Sequence, residues 1–239
     1  MVLGNIVSSG NFSPHAIIAS FVLFLRGTLD LDDNCTLIYH HHLLVLQLPC
    51  RYGVNDMAGS AKKIYDAAAG AREGHSVILL AHNGPTGLGS RMDDICGRDW
   101  VAGGGDHGDP DLERAISDLQ KETGVSIPLV VFGHMHKSLA YGRGLRKMIA
   151  FGANHTIYLN GAVVPRVKYA QPSSSIIPSY EQNQLEGSGL TAPTLRAFTI
   201  IDLLEGCVEK ISEVWVLVSG ATTELEEEII LYKHPREHM

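Results

Sequence analysis

Cysteine is scarce in this chain, and no two cysteines form a CxxC pair. The four cysteines, Cys35, Cys50, Cys96 and Cys207, are spread widely over the 239 residues. A disulfide framework or a cysteine-rich zinc site needs closely spaced pairs. The pattern therefore favours reduced, half-buried thiols.

Basic residues are fewer than acidic residues, and long apolar runs are absent from the sequence. Lys and Arg number 19 against 26 Asp and Glu, for a formal net charge of -7. Affinity for nucleic acid is built largely from Lys and Arg, so we expect no nucleic-acid partner. No apolar run approaches the ~20 residues that a membrane helix needs, so we expect no membrane partner. A small phosphorylated substrate is compatible with the charge, since bound cations supply positive charge locally. The sequence does not indicate the oligomeric state.

The remaining composition is that of an ordinary globular protein, with 45% hydrophobic and 19% charged residues. Capping residues and hydrophobic periodicity indicate the same helices and strands only after about residue 52. Residues 1–51 show neither capping patterns nor regular alternation, although the apolar run at 17–25 suits a buried strand or helix. We expect residues 1–51 to be an atypical, poorly folded segment that replaces the first part of the fold, and residues 52–239 to form an α/β region.

Helix and strand signals are clear in that second region. Asn55 or Asp56 begins a helix that Gly70 ends, and Asp109 with Pro110 begins another that runs to about residue 123. Short apolar runs predict strands at 76–81, 128–132, 148–151 and 156–159. A β-hairpin at 196–203 and 207–218 and a short closing strand near 229–231 follow a flexible loop at 171–193.

Histidine follows two of these apolar runs directly. His82 follows the first, and Gly133-His134-Met135-His136, the GHMH turn, follows the second. Ligands collect at the carboxyl ends of strands in α/β proteins, so we predict that three imidazoles meet at one edge of a sheet. In an extended turn, His134 and His136 would face the same side because they are two residues apart. Neutral imidazole binds zinc, iron and other transition metals well.

A lone histidine after one strand and a GHxH turn after the next resemble metal-ligand motifs of the calcineurin-like metallophosphoesterase family. The phrases LLAHNGPTGLGS, DICGRDW, GDHGDPDL and IPLVVFGHMH resemble a plant and cyanobacterial subgroup still more closely. The resemblance covers about residues 52–232. It implies two β-sheets packed face to face with helices outside (αββα), here incomplete at the N-terminus.

The resemblance also implies a chemistry and a setting. Phosphate esters would be hydrolysed by a metal-activated water at two divalent ions (manganese, iron or zinc). His82 and His134 would bind one ion and His136 the other. The subgroup suggests a plastid protein, although no intact transit peptide precedes the fold.

Polar residues in the loops around these histidines are candidates for contact with a small phosphorylated substrate. They are Asn83, Arg98, Asp99 and His107. Polar loop residues often serve turns instead, and for His107 a loop role and a substrate or metal role both stay open.

Several family motifs cannot be placed, namely an early Asp-x-His, GDxxD and Asn-His-Asp/Glu. Residues 105–109 look like GDxxD, but they follow His82 on a run of glycines, so we interpret them as a helix start capped by Asp109. Without the bridging Asp, metal affinity should fall. The sequence therefore predicts either an impaired metal-dependent phosphoesterase or a catalytically inactive metal-binding or interaction protein that retains half of the fold.

Overall fold

The computed structural model describes residues 23–26, 35–40, 54–71, 74–170 and 192–235. These residues form an α/β fold with two five-stranded sheets. In chain order the elements are β1 Leu23–Arg26, β2 Cys35–His40, α1 Met57–Ala69, β3 Ser76–Ala81, α2 Pro110–Glu122, β4 Ser126–Phe132, β5 Ile149–Phe151, β6 Ile157–Asn160, β7 Val167–Tyr169, β8 Thr194–Leu204, β9 Cys207–Ser219 and β10 Thr222–Lys233. Two 3-10 turns, Ala140–Gly142 and Ala153–His155, flank β5.

The mixed sheet has the strand order β2-β3-β4-β6-β5. Its strands β2, β3, β4 and β6 run parallel, and β5 is antiparallel to β6. The side chains of β3 and β4 are almost all buried, as the continuous apolar runs predict for a parallel sheet covered on both faces. Because β3 and β4 are parallel neighbours, the residues that follow them emerge at the same edge.

The hairpin sheet has the order β1-β8-β9-β10, with β7 paired to part of β8. It packs on one face of the mixed sheet. That interface consists of buried aliphatic side chains from both sheets: Ile78, Leu80, Leu129, Val131, Ile157, Leu159, Ile201, Leu203, Val208 and Ile211. The α/β arrangement with two sheets therefore agrees with the sequence prediction, whereas no helix of the described residues covers the hairpin sheet as the αββα layering implies.

The two helices cover the other face of the mixed sheet. Asp56 caps α1 by accepting a hydrogen bond from the backbone N–H of Gly59 at 2.7 Å. Helix α2 begins at Pro110 and buries a stripe of Leu112, Ala115, Ile116 and Leu119 against the sheet. Asp109 occupies the N-cap position of α2 without a side-chain capping hydrogen bond. The described residues thus form three layers: helices, mixed sheet and hairpin sheet.

Most predicted elements lie where the sequence places them, but β7 has no counterpart in the prediction and β10 is longer than predicted. Strand β10 spans Thr222–Lys233, far longer than the short closing strand expected, because it pairs with β9 along almost its whole length. Strands β1 and β2 lie within residues 1–51 and join one sheet each. The rest of that segment lies outside the described residues, as does most of the predicted 171–193 loop. No helix among the described residues has the length and apolarity needed to cross a membrane.

Candidate metal centre

His82 and His134 lie together at the carboxyl ends of β3 and β4. The backbone N–H of Gly133 donates to the carbonyl of His82 at 3.1 Å, which continues the strand pairing into the two loops. The ring centroids of the histidines are 4.8 Å apart, with the ring planes tilted by 57°. Two imidazoles on one zinc ion, with Zn–N bonds of about 2.1 Å, would place their centroids roughly 4.5–5.2 Å apart. The spacing of this pair fits two ligands of a single transition-metal ion.

His107 supplies a third ring beside this pair. Its ring stacks on that of His134 with centroids 5.5 Å apart and planes 23° from parallel. The His107 backbone is fixed in two places, since its N–H donates to Cys96 O at 2.9 Å and its carbonyl accepts from Asn83 Nδ2 at 2.6 Å. We call His82, His107 and His134 the histidine cluster.

The GHMH turn is not extended, so that part of the sequence prediction is wrong. His134 has φ of 64°, in the left-handed region. The N–H of Met135 bonds back to Gly133 O at 2.7 Å, and the Met135 side chain is buried. This tight turn abolishes the simple alternation that would have placed His134 and His136 on one side. Within the described part of the chain, no ring contact joins His136 to His82 or His134.

Two of the predicted substrate residues are buried and hold loops. The amide of Asn83 bonds His107 O, and its oxygen accepts from the Gly84 N–H at 2.9 Å. The carboxylate of Asp99 accepts from the Ala140 N–H at 2.6 Å and lies 3.3 Å from the guanidinium of Arg146. These bonds give both residues a structural role; contact with a substrate stays a prediction.

Arg98 differs, because one nitrogen of its guanidinium makes no hydrogen bond to the described residues. Its backbone N–H donates to Gly105 O at 2.8 Å, while a Cβ added at Gly105 would lie 2.4 Å from Arg98 Nη2. The guanidinium therefore packs against a bare backbone. Its buried Nε has no hydrogen-bond partner among the described residues. Contact of Arg98 with a substrate stays a prediction.

The glycine-rich segment 105–109 is held by its own carboxylate. Asp106 accepts from the Gly108 N–H at 2.8 Å and also from the Gly87 N–H. Beneath the loop lies Cys96, fully buried. Burial foremost, with the nearby Asp106 and Asp109 carboxylates, raises the pKa of the Cys96 thiol to about 12. Cys96 is therefore a neutral thiol at pH 7 and not a ready thiolate ligand.

Arg146 is a residue that the sequence did not point to. Its side chain is only 1% exposed. The guanidinium forms an ion pair with Asp99 and donates to four backbone carbonyls: His136 (3.0 Å), Met92 (3.2 Å), Asp94 (2.8 Å) and Gly97 (2.6 Å). Burial lowers the pKa of Arg146, and Asp99 opposes that effect. No local pattern marks this residue, because its acceptors lie 10 to 54 positions away in sequence.

Two more buried polar residues fix the GHMH turn from the sheets. Asn160, at the end of β6, donates from Nδ2 to Met135 O at 2.6 Å. Lys137, directly after the turn, bonds both carboxylate oxygens of Glu213 on β9, at 2.8 and 2.7 Å. The Glu213 side chain is 2% exposed and also accepts from Trp215 Nε1 at 3.2 Å. The turn is thereby held to both sheets.

The described residues fit two imidazole ligands better than a larger set. Among them, no group of three or more His, Cys, Asp or Glu side chains is arranged to hold a metal ion. Compared with models of protein families, with curated proteins and with solved structures, the chain gives no match.

Proposed function

We propose that this chain is a metal-dependent phosphoesterase of the calcineurin-like αββα type, with His82 and His134 as ligands of a divalent ion. One observation carries the proposal. The two imidazoles follow adjacent parallel strands and lie 4.8 Å apart by ring centroid, a spacing compatible with a shared ion.

The surrounding residues have distinct parts in this proposal. A bound manganese, iron or zinc ion would supply Lewis-acid polarisation of a phosphoryl oxygen and a water that ionises near neutral pH. Arg98 stays a proposed contact of the substrate phosphate through the charge of its guanidinium. His136, exposed and two residues beyond His134, stays a proposed ligand of a second ion.

Metal content and phosphatase activity of the purified chain test this proposal together. We expect binding of a divalent ion and hydrolysis of a generic aryl phosphate, both weakened by the absence of the bridging Asp. His82→Ala or His134→Ala should lower metal affinity by at least about 100-fold, because loss of even an outer-shell partner costs 10- to 100-fold. His155→Asn is the matched control, since it removes an exposed imidazole at a positive φ that Asn tolerates.

The outcomes separate the candidate functions. Hydrolysis that disappears in His134→Ala and persists in His155→Asn supports the phosphoesterase. Metal binding that depends on His82 and His134, without turnover of any phosphate ester, would favour a catalytically inactive metal-binding protein. Failure of the unaltered chain to bind manganese, iron or zinc would refute both.

A further inference from the structure

A half-exposed tryptophan stands at the rim of the histidine cluster. The Trp100 ring meets the His107 ring edge-on, with centroids 5.0 Å apart and planes at 88°. Trp100 is 47% exposed, so a large part of its ring faces solvent directly beside the candidate site. Aromatic rings of this kind carry much apolar area and prefer to be covered.

The position of Trp100 is fixed by its neighbours in the chain. Asp99 is buried and bonded to Ala140 and Arg146. On the other side, the carbonyl of Val101 accepts a hydrogen bond from the Gly104 N–H at 3.0 Å. Both residues that flank Trp100 are held by hydrogen bonds, so the backbone that carries its ring is already ordered. A ligand that covers the ring would therefore lose little affinity to the entropy of ordering this loop.

A second exposed aromatic residue, Tyr141, is linked to Trp100 through Arg143 and Asp99. Asp99 O accepts from Arg143 Nη1 at 3.4 Å, and the Arg143 guanidinium lies 5.2 Å from the centroid of the Tyr141 ring. Tyr141 is 80% exposed at φ of 59°, a left-handed conformation that bulky residues seldom adopt. Trp100 and Tyr141, joined through Asp99, form what we call the aromatic rim.

The rim and the cluster present two different chemistries next to each other. Arg98 and the imidazoles suit a phosphate, directly or through a bound cation. Trp100 lies one imidazole ring away and suits the face of a planar group, since base–aromatic stacking favours any flat π-system. A ligand that satisfies both has a phosphate at one end and an aromatic ring close to it.

We infer that the site takes phosphate esters whose leaving group carries a planar aromatic ring, such as a nucleoside monophosphate, with that ring stacked on Trp100. This inference rests on the proposed phosphoesterase function and adds its substrate class. Phosphate esters without a ring would lose the rim contact and bind more weakly.

The test compares adenosine 5′-monophosphate with ribose 5-phosphate, which keeps the phosphate and sugar but lacks the base. With manganese present, kcat and KM are measured for both. Without metal, the binding of each is followed by quenching of tryptophan fluorescence; the other tryptophan, Trp215, is buried against Lys168. We expect a lower KM for the nucleotide and quenching by the nucleotide alone.

Variants at the rim make the test specific. Trp100→Leu should raise KM for the nucleotide roughly 5- to 150-fold, the range that loss of one stacking contact gives, and raise KM for ribose 5-phosphate by a much smaller factor. Trp100→Phe should restore most of the nucleotide affinity. Tyr141→Ala, at a position that is 80% exposed, gives a second variant with little effect on folding, and it should raise the nucleotide KM by a smaller factor.

Each result decides the matter. Equal kcat/KM for the two esters, unchanged in Trp100→Leu, would overturn the aromatic-ring inference while the phosphoesterase function stands. Nucleotide quenching lost in Trp100→Leu, without hydrolysis of either ester, would support the rim and count against the phosphoesterase. A chain that hydrolyses ribose 5-phosphate, with no quenching by the nucleotide, also overturns the inference.

Discussion

Arg146→Met should destabilise the protein strongly, although Arg146 touches no ring of the histidine cluster. The side chain is 1% exposed and pairs with Asp99, whose own side chain is 9% exposed. Methionine fills similar space but donates no hydrogen bonds. The substitution therefore leaves a buried carboxylate and four backbone carbonyls without their donor.

The expected cost follows from these lost contacts. Removing one partner of a buried ion pair costs about 3–5 kcal/mol, because the remaining charge is left uncompensated. The carbonyl bonds add to this, but Met92 and Asp94 lie on a partly exposed loop where water can replace the donor. We expect a loss of about 4 kcal/mol, a large share of the roughly 5–15 kcal/mol typical of a domain. For a chain of this size, the melting temperature Tm would fall by roughly 10 °C.

Urea unfolding followed by circular dichroism measures this loss, with Arg143→Met as the matched control. Arg143 belongs to the same loop but is exposed and makes one long bond, at 3.4 Å, to Asp99 O. Its removal should cost less than about 0.5 kcal/mol. If Arg146→Met cost under about 1 kcal/mol, the account of Arg146 as the centre of this loop structure would be refuted.

A double variant separates the ion pair from the carbonyl bonds. Asp99→Asn keeps an oxygen for the Ala140 N–H but leaves the Arg146 charge buried and unpaired. In Arg146→Met combined with Asp99→Asn, neither charge is left alone, so the combined cost should be smaller than the sum of the single costs. Simple additivity would mean that Arg146 acts through the carbonyls alone.

Three further predictions concern neighbouring buried groups. The pKa of Cys96 is raised from its ordinary value of 9.0 to about 12, so the stability it contributes is present below pH 9 and lost as the pH rises towards 12. In Cys96→Ala, the free energy of unfolding should fall less steeply between pH 9 and pH 12 than in the unaltered protein. An equally steep fall would contradict the view that Cys96 is a buried, neutral thiol. Glu213→Gln should cost about 2–4 kcal/mol in urea unfolding by leaving the Lys137 charge without its carboxylate, whereas a neutral effect would place the pair in bulk solvent. Gly84→Ala should cost about 1–3 kcal/mol, because the added Cβ would lie 2.5 Å from both Phe132 Cζ and Cys96 Sγ. Gly70→Ala, at φ of -76° with no neighbour nearer than 3.7 Å, should not destabilise the protein and serves as its control.

The parts of the site predicted from sequence are those that depend on local signals and one topological rule. The apolar runs before His82 and His134 predict two buried strands, and both strands form with nearly the expected limits. Parallel neighbours send their following residues to a common edge, which is why the two imidazoles meet. Nothing beyond hydrophobic pattern and strand direction was needed for this pair.

The parts that sequence reasoning missed depend on contacts between distant segments. Whether the GHMH turn is extended or tight is decided by Asn160, 25 positions away from Met135, and by Glu213, 76 positions away from Lys137. Strand β10 is another example. Its glutamates suggest a solvated tail, yet it forms a full strand because β9 offers a long edge on which to pair. Intrinsic preference is a weak guide where tertiary pairing decides.

The conformation of His134 connects the buried polar residues with the candidate chemistry. A non-glycine residue in the left-handed region costs about 1–2 kcal/mol, so it persists only where its surroundings enforce it. Here the enforcing contacts are consecutive: Asn160 holds the carbonyl of Met135, Arg146 holds that of His136, and Glu213 holds the side chain of Lys137. If these contacts were removed, the turn could relax to an extended form and carry the His134 ring away from His82. A less stable turn should therefore also lose the close spacing of the two imidazoles, which is why Arg146→Met is expected to weaken metal binding as well as folding.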